Sequence, residues 1–192
     1  RRKEQDFEVS PVVEVGIGMD GIKAPIGSVS SRGLESRLRR LTLPARLTQD
    51  FDQLPTPFRA GATDMETGQP VILRQGDLAT ALRSSMSVPG IFAPVEVDGR
   101  ILGDGGLVNN LPVDVARQLG ADVVIAVNIG TPLAARDTLH TAVGVTVQML
   151  NILTEQNVQR SVASLGRQDL LLAPPLGPLT AGDFDQAPAL VA

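Results

Sequence analysis

Apolar residues recur along this chain at two different spacings, which predict helices and strands in alternation. Residues 31–43 carry leucines three and four positions apart, the spacing of one buried helical stripe, and Pro44 follows them as a helix terminator. The stripe consists of Leu34, Leu38 and Leu41. Residues 139–165 repeat this spacing over a greater length and predict a long helix.

Short runs of strand-forming residues between turn residues predict antiparallel hairpins in the middle of the chain. Residues 58–63 and 70–74 are separated by a turn that contains Gly68. Residues 92–102 predict a second hairpin, whose turn is Asp98-Gly99. An Asp-Gly pair favours a tight hairpin because both positions tolerate positive φ angles.

The later part of the chain predicts buried strands. Residues 122–128 are almost continuously apolar, which is typical of a strand buried on both faces of an α/β sheet. Residues 170–172 predict a short last strand, and Asp77 is a suitable N-cap for a helix over residues 78–85. Helices that alternate with strands in this way predict an α/β fold.

A further helix is predicted just before the apolar strand. Pro112 suits its first position, where the missing N–H costs nothing, and Asn109 or Asn110 is expected to cap it. Gly120 is expected to end it as a C′ glycine.

Net charge and the counts of cysteine and histidine exclude several kinds of binding site. The 192 residues carry a net charge of −4, so there is no basic footprint for nucleic acid. The chain has no cysteine and one histidine, which excludes disulfides, thiolate metal sites and histidine-rich metal sites. No metal site and no cofactor is expected. A local group of arginines is expected to form a solvated helix face: Arg37, Arg39, Arg40 and Arg46.

The glycines at positions 16, 18 and 21 match the spacing of a dinucleotide-binding loop. Such a loop must open directly into a helix. Pro25 and Gly27 follow instead, so we interpret the segment as a turn or hairpin and leave nucleotide binding as a weak alternative.

Asp104, in the run Gly103-Asp104-Gly105-Gly106, is the strongest candidate for a chemical role. It follows the second strand of the 92–102 hairpin, and the flanking glycines suggest a carboxylate held at a strand end with open space around it. Asp and Gly are also common in turns for backbone reasons, so a turn residue is the alternative.

The other polar candidates are given structural interpretations. Asp64 and Glu66 are expected to belong to the turn before Gly68, and His140 to be a surface or capping residue at the start of the long helix. Three serines are expected to cap or end a helix: Ser84, Ser85 and Ser87.

Three motifs in series resemble the C-terminal part of the patatin-like phospholipase family, in particular its bacterial branch. They are residues 62–68 (Ala-Thr-Asp-Met-Glu-Thr-Gly), residues 82–95 (from Leu-Arg-Ser-Ser-Met-Ser-Val-Pro-Gly to Ala-Pro-Val) and residues 103–113 (Gly-Asp-Gly-Gly-Leu-Val-Asn-Asn-Leu-Pro-Val). The order and spacing agree with the family from residue 58 to residue 128.

This resemblance implies a three-layer α/β/α sandwich that is incomplete in this chain, because N-terminal strands are missing. It assigns residues 1–173 to the C-terminal part of a patatin-like domain and residues 174–192 to a loose tail or linker. It implies a lipid acyl hydrolase with a serine–aspartate dyad, whose base is Asp104 in the motif Asp104-Gly105-Gly106. The implied substrate is a glycerolipid or another acyl ester, a membrane surface is a further candidate partner, and a bacterial cell envelope or secreted location is favoured.

The nucleophile of such a dyad lies in a Gly-x-Ser-x-Gly elbow, where the serine occupies a strained strand-to-helix turn. None of the serines of this chain has glycines two positions before and two positions after it. The serine is therefore expected upstream of Arg1, in an N-terminal segment that would act as a partner of this one. This chain alone is expected to be inactive, and a non-catalytic binding or scaffold module is the alternative function.

The resemblance also implies an apolar acyl-binding groove, which could lie near Asp104. Five apolar residues of these motifs are candidates for its lining, although we expect them to be core: Val88, Ile91, Phe92, Leu107 and Val108.

Overall fold

The computed structural model describes residues 16–18, 21–23, 31–131, 133 and 136–175. Over these ranges the chain has a mixed α/β fold, which confirms the predicted class. It divides into two compact units, Arg1–Gly105 and Gly106–Ala192. Most of the predicted tail, residues 176–192, lies outside the described residues, so the domain boundary after residue 173 stays a prediction.

The first unit is built on an antiparallel sheet of four strands. Its elements in chain order are β1 (Gly16–Gly18), β2 (Gly21–Lys23), α1 (Ser31–Leu41), β3 (Ala60–Asp64), β4 (Pro70–Leu73), α2 (Leu78–Ser85), β5 (Val95–Val97) and β6 (Arg100–Asp104). The sheet has the strand order β4-β3-β6-β5, and α2 packs against its two central strands. Strands β1 and β2 form a separate antiparallel hairpin, which confirms the turn or hairpin interpretation of this glycine-rich segment.

In this unit the β5–β6 hairpin and the start of α2 both form where their local sequences predict them. Asp98 has a φ angle of 51° and Gly99 one of 74°, so the predicted tight turn forms and pairs Val97 with Arg100. The Asp77 carboxylate accepts a hydrogen bond of 2.8 Å from the Thr80 N–H and therefore caps α2 as predicted.

Phe51 and Phe58 pack against each other in the core of the first unit, beside the sheet. Phe51 is completely buried against Ala60 and Ala81, and its ring lies 6.1 Å from that of Phe58. Helix α1 contributes less than its leucine stripe predicts, because Leu41 is 71% exposed. The arginines of the predicted solvated face are all exposed, as expected.

The second unit contains α3 (Gly106–Asn109), α4 (Val113–Gln118), β7 (Ile125–Val127), α5 (Ala142–Ala163) and β8 (Leu170–Leu172). Strands β7 and β8 pair in parallel. The long helix begins three residues later than predicted because the Thr141 hydroxyl accepts the Gly144 N–H and caps it there. His140 lies in the preceding 3₁₀ turn, Arg136–His140, and is exposed, which confirms its surface position.

Two sequence predictions in this unit are wrong. The apolar strand is not buried on both faces: Ala126 is buried, but Ile125 is 64% exposed and Val127 50% exposed. One of its two side-chain faces thus lacks the cover that parallel sheets normally have. Pro112 occupies the N-cap of α4 rather than its first position, and it supplies no side-chain cap.

The asparagines predicted to cap α4 have other partners. The Asn109 amide donates to the Asp114 carboxylate at 2.8 Å, and the Asn110 N–H donates to the Asn157 side-chain oxygen at 2.8 Å. The Asn157 amide also donates to the Gly106 carbonyl at 3.0 Å. Asn157 on α5 therefore holds both ends of the α3 segment.

Candidate active site

Asp104 is the last residue of β6, and hydrogen bonds hold its backbone from two sides. Its N–H donates to the Ser87 carbonyl at 3.0 Å, and its own carbonyl accepts the Thr63 hydroxyl at 2.7 Å. The β3–β6 ladder pairs it with Ala62. The residue is partly exposed, whereas Thr63 and Ser87 are buried. Asp104 is therefore a partly exposed residue whose backbone is held in place by hydrogen bonds.

The glycines beside Asp104 allow close packing rather than open space, which corrects the expectation from the sequence. A Cβ atom on Gly105 would lie 2.4 Å from the Gly61 carbonyl oxygen. A Cβ atom on Gly103 would lie 2.5 Å from the Met65 sulfur. Both glycines are buried, and Gly105 meets backbone, which yields less easily than a flexible side chain.

Replacing Gly105 by Ala is expected to destabilise the protein by about 1–3 kcal/mol, because the added methyl pushes residue 105 away from the backbone of β3. Gly33→Ala in α1 is the matched control, since a Cβ atom at Gly33 meets nothing within 4 Å. Alanine there should stabilise the helix by roughly 0.5–1 kcal/mol. Urea unfolding of both variants measures the difference, and equal stabilities would contradict the close packing at Gly105.

A buried arginine lies next to this strand end. Arg83 on α2 is only 4% exposed, and its guanidinium donates to the Ser87 hydroxyl at 2.5 Å and to the Ala93 carbonyl at 2.9 Å. It lies 5.1 Å from the centre of the Phe92 ring. Burial lowers the pKa of Arg83, but an arginine titrates so far above neutral pH that it stays charged.

Sequence reasoning missed Arg83 and the structural role of Thr63. An arginine within a short helix ordinarily extends into solvent, and nothing in the local pattern marks this one as buried. Its serine neighbours were interpreted correctly as helix-end residues. The Ser84 hydroxyl donates to the Thr80 carbonyl at 2.9 Å, and the Ser87 hydroxyl donates to the Arg83 carbonyl at 2.8 Å.

Asp64 and Glu66 form the predicted turn and not a pair of catalytic acids. The Asp64 carboxylate accepts the backbone N–H groups of Glu66 at 3.0 Å and Thr67 at 3.2 Å. These hydrogen bonds, that of Glu66 first, lower the pKa of Asp64 although burial opposes them. Asp64 is thus held ionised by its own turn.

The five apolar candidates for a groove are not core residues. Ile91 is 43% exposed, and Val88 and Phe92 in the first unit are half-buried. Leu107 and Val108 in the second unit are half-buried as well. The expectation that they belong to the buried core is therefore wrong.

The described residues contain neither a metal-binding cluster nor a membrane-spanning helix. No group of three or more His, Cys, Asp or Glu side chains there could hold a metal ion. Among the same residues, the helices are too short or too polar to cross a membrane.

A known protein family matches the part of the chain around Asp104. The sequence profile of the family described as patatin-like phospholipase matches residues 20–117, about half of the chain and the part that contains Asp104.

Curated relatives match over similar lengths. An uncharacterized NTE family protein of Mycobacterium tuberculosis is 44% identical over 79 residues, which are 41% of this chain and 22% of that protein. Patatin-like phospholipase domain-containing protein 7 of Mus musculus is 40% identical over 85 residues, 43% of this chain and 6% of that protein. The matched segment is therefore less than a quarter of the length of either relative.

Proposed function

Because the chain belongs to the patatin-like phospholipase family, we propose that the full-length protein hydrolyses acyl esters of glycerolipids with a serine–aspartate dyad. The observation that carries the proposal is the position of Asp104, a partly exposed aspartate at the end of β6 within the family match. Its Asp-Gly-Gly context agrees with the base of the family dyad. A membrane surface as the source of substrate and an envelope or secreted location belong to the same proposal.

In the proposed reaction, the Asp104 carboxylate accepts the proton of a serine hydroxyl as the serine oxygen attacks the acyl carbonyl carbon. The tetrahedral intermediate collapses, and the leaving alcohol takes the proton from Asp104. An acyl-enzyme remains on the serine. Water then attacks it while Asp104 accepts the water proton, and the fatty acid leaves as the serine recovers its hydrogen.

The test uses the full-length protein with a p-nitrophenyl ester and with vesicles of a phosphatidylcholine. We expect ester hydrolysis, release of fatty acid, and covalent labelling of one serine by a fluorophosphonate. Mass spectrometry of the labelled peptide identifies that serine. A folded full-length protein that shows neither turnover nor labelling would overturn the proposal.

The 192-residue chain on its own is expected to hydrolyse the p-nitrophenyl ester no faster than buffer, because none of its serines lies in a Gly-x-Ser-x-Gly elbow. The measurement compares its rate with that of the full-length protein at equal concentration. Turnover by the short chain that disappears in Asp104→Asn would place the nucleophile within these 192 residues.

The second candidate is a non-catalytic binding or scaffold module with the same fold, which would be favoured if the full-length protein has no Gly-x-Ser-x-Gly elbow upstream of residue 1. The labelling experiment distinguishes the two. Binding of vesicles without labelling or fatty acid release supports the module, and labelling with turnover supports the hydrolase.

A further inference from the structure

We propose that Ser87, braced by Arg83, is a positioning residue that holds Asp104 in place for proton transfer. This inference rests on the proposed function, since it takes Asp104 to be the base. It assigns to Ser87 and Arg83 a role through Asp104 and not in contact with substrate.

The register of the sheet shows why Asp104 needs such a support. Strand β5 pairs with β6 only up to Val95, which lies opposite Leu102. The same register would place Ala93 opposite Asp104, but no strand pairing is formed there. The Ser87 carbonyl instead accepts the Asp104 N–H at 3.0 Å, on the side of β6 where β5 has ended.

Arg83 holds both Ser87 and Ala93 on that side of Asp104 through hydrogen bonds. One guanidinium nitrogen donates to the Ser87 hydroxyl and the other to the Ala93 carbonyl. The Ser87 hydroxyl in turn donates to the Arg83 carbonyl, so residue 87 is tied to α2 through its side chain. Arg83 and Ser87 are 4% and 1% exposed, and hydrogen bonds shielded from water are stronger than exposed ones.

Loss of these hydrogen bonds is therefore expected to shift the position of Asp104. A base displaced by a fraction of an ångström transfers a proton less efficiently, and errors near 1 Å cost about 10²-fold in rate. The substrate makes no contact with Ser87 in this scheme, so KM should not change.

The test compares Ser87→Ala with Ser84→Ala in the full-length protein. Both serines are buried near the end of α2, but among the described residues the Ser84 hydroxyl bonds the Thr80 carbonyl of its own helix and no other group. We expect Ser87→Ala to lower kcat and the rate of fluorophosphonate labelling by roughly 10–100-fold at unchanged KM. Ser84→Ala should stay within about twofold of wild type.

Arg83→Lys is the second variant and keeps the positive charge. A lysine has one nitrogen and no planar fork, so it cannot hold the Ser87 hydroxyl and the Ala93 carbonyl in the same geometry. A decrease of kcat at constant KM is expected here too, with thermal melting to confirm folding at the assay temperature.

The outcomes separate this inference from the proposed function. Equal kcat values for Ser87→Ala, Arg83→Lys and Ser84→Ala, with Asp104→Asn inactive, would overturn the positioning role and leave the dyad intact. Full activity of Asp104→Asn would overturn both. A rise in KM instead of a fall in kcat would also contradict positioning of the base.

Discussion

Asp104→Asn in the full-length protein is expected to lower kcat for an acyl ester by about 10²–10⁴-fold, the range supplied by a positioned general base. Asparagine has nearly the same shape as aspartate but cannot accept the serine proton. The hydrogen bonds with Ser87 and Thr63 use the backbone of residue 104, so they remain in the variant. KM is expected to change little.

Asp98→Asn is the control for this experiment. Asp98 is an exposed aspartate of the same hairpin, and asparagine tolerates its φ angle of 51°. Steady-state kinetics and thermal melting of both variants separate a chemical effect from a folding effect. If Asp104→Asn kept its activity within threefold of wild type, Asp104 would not be the base.

Asp169→Ala is expected to lower the melting temperature of the protein by roughly 10 °C, because it removes a buried carboxylate that pairs with Arg117 and accepts two backbone N–H groups. The Asp169 side chain is completely buried, and it accepts hydrogen bonds from the Gly166 N–H at 2.6 Å and the Val124 N–H at 2.8 Å. Arg117 donates to both of its carboxylate oxygens, at 2.6 and 2.5 Å.

The alanine variant leaves the Val124 N–H and the Arg117 guanidinium without this acceptor at the position where β7 and β8 begin. Asp122→Ala is the matched control, since residue 122 is exposed. Calorimetry of both variants measures the difference. Equal melting temperatures would show that the cluster does not stabilise the unit.

The lowered pKa of the Asp169 carboxylate makes the stability of the folded protein depend on pH. The Gly166 and Val124 N–H groups, and then Arg117, hold the pKa of Asp169 below its usual range. Because the unfolded chain regains the ordinary pKa of about 3.9, the stabilisation is fully present above that pH and is lost as the pH falls toward the folded value. Asp169→Ala should therefore lose less stability between pH 5 and pH 3 than wild type, since it lacks this group.

Local features of the fold could be predicted from the sequence because a few adjacent residues decide them. The Asp98-Gly99 turn depends on the φ angles of two residues, and the start of α2 depends on one hydrogen bond between Asp77 and Thr80. The position of Asp104 at a strand end follows from that turn. For the same reason the Asp64 turn was interpreted correctly.

Burial was predicted less well because it depends on which segments cover each other. Leu41 and Ile125 belong to clear apolar patterns, yet both are more than half exposed. Arg83 has no local mark of burial, yet it is almost completely enclosed. The spacing of hydrophobic residues indicates which face of a helix or strand favours burial. Whether that face is buried depends on the elements that pack against it.

Three features can be recognised in the amino-acid sequence: the α/β class, the hairpin that leads into Asp104, and the family resemblance that makes this carboxylate a candidate base. The close approach of Gly105 to the Gly61 backbone, and the hydrogen bonds of Ser87 and Arg83 beside the strand end, emerge from the folded structure alone. The contacts between Gly105 and Gly61 and between Ser87 and Asp104 join residues distant in the chain, and their geometry is set by the packing of α2 on the sheet. Turn and capping signals act over a few residues, so they can be recognised before that packing is known.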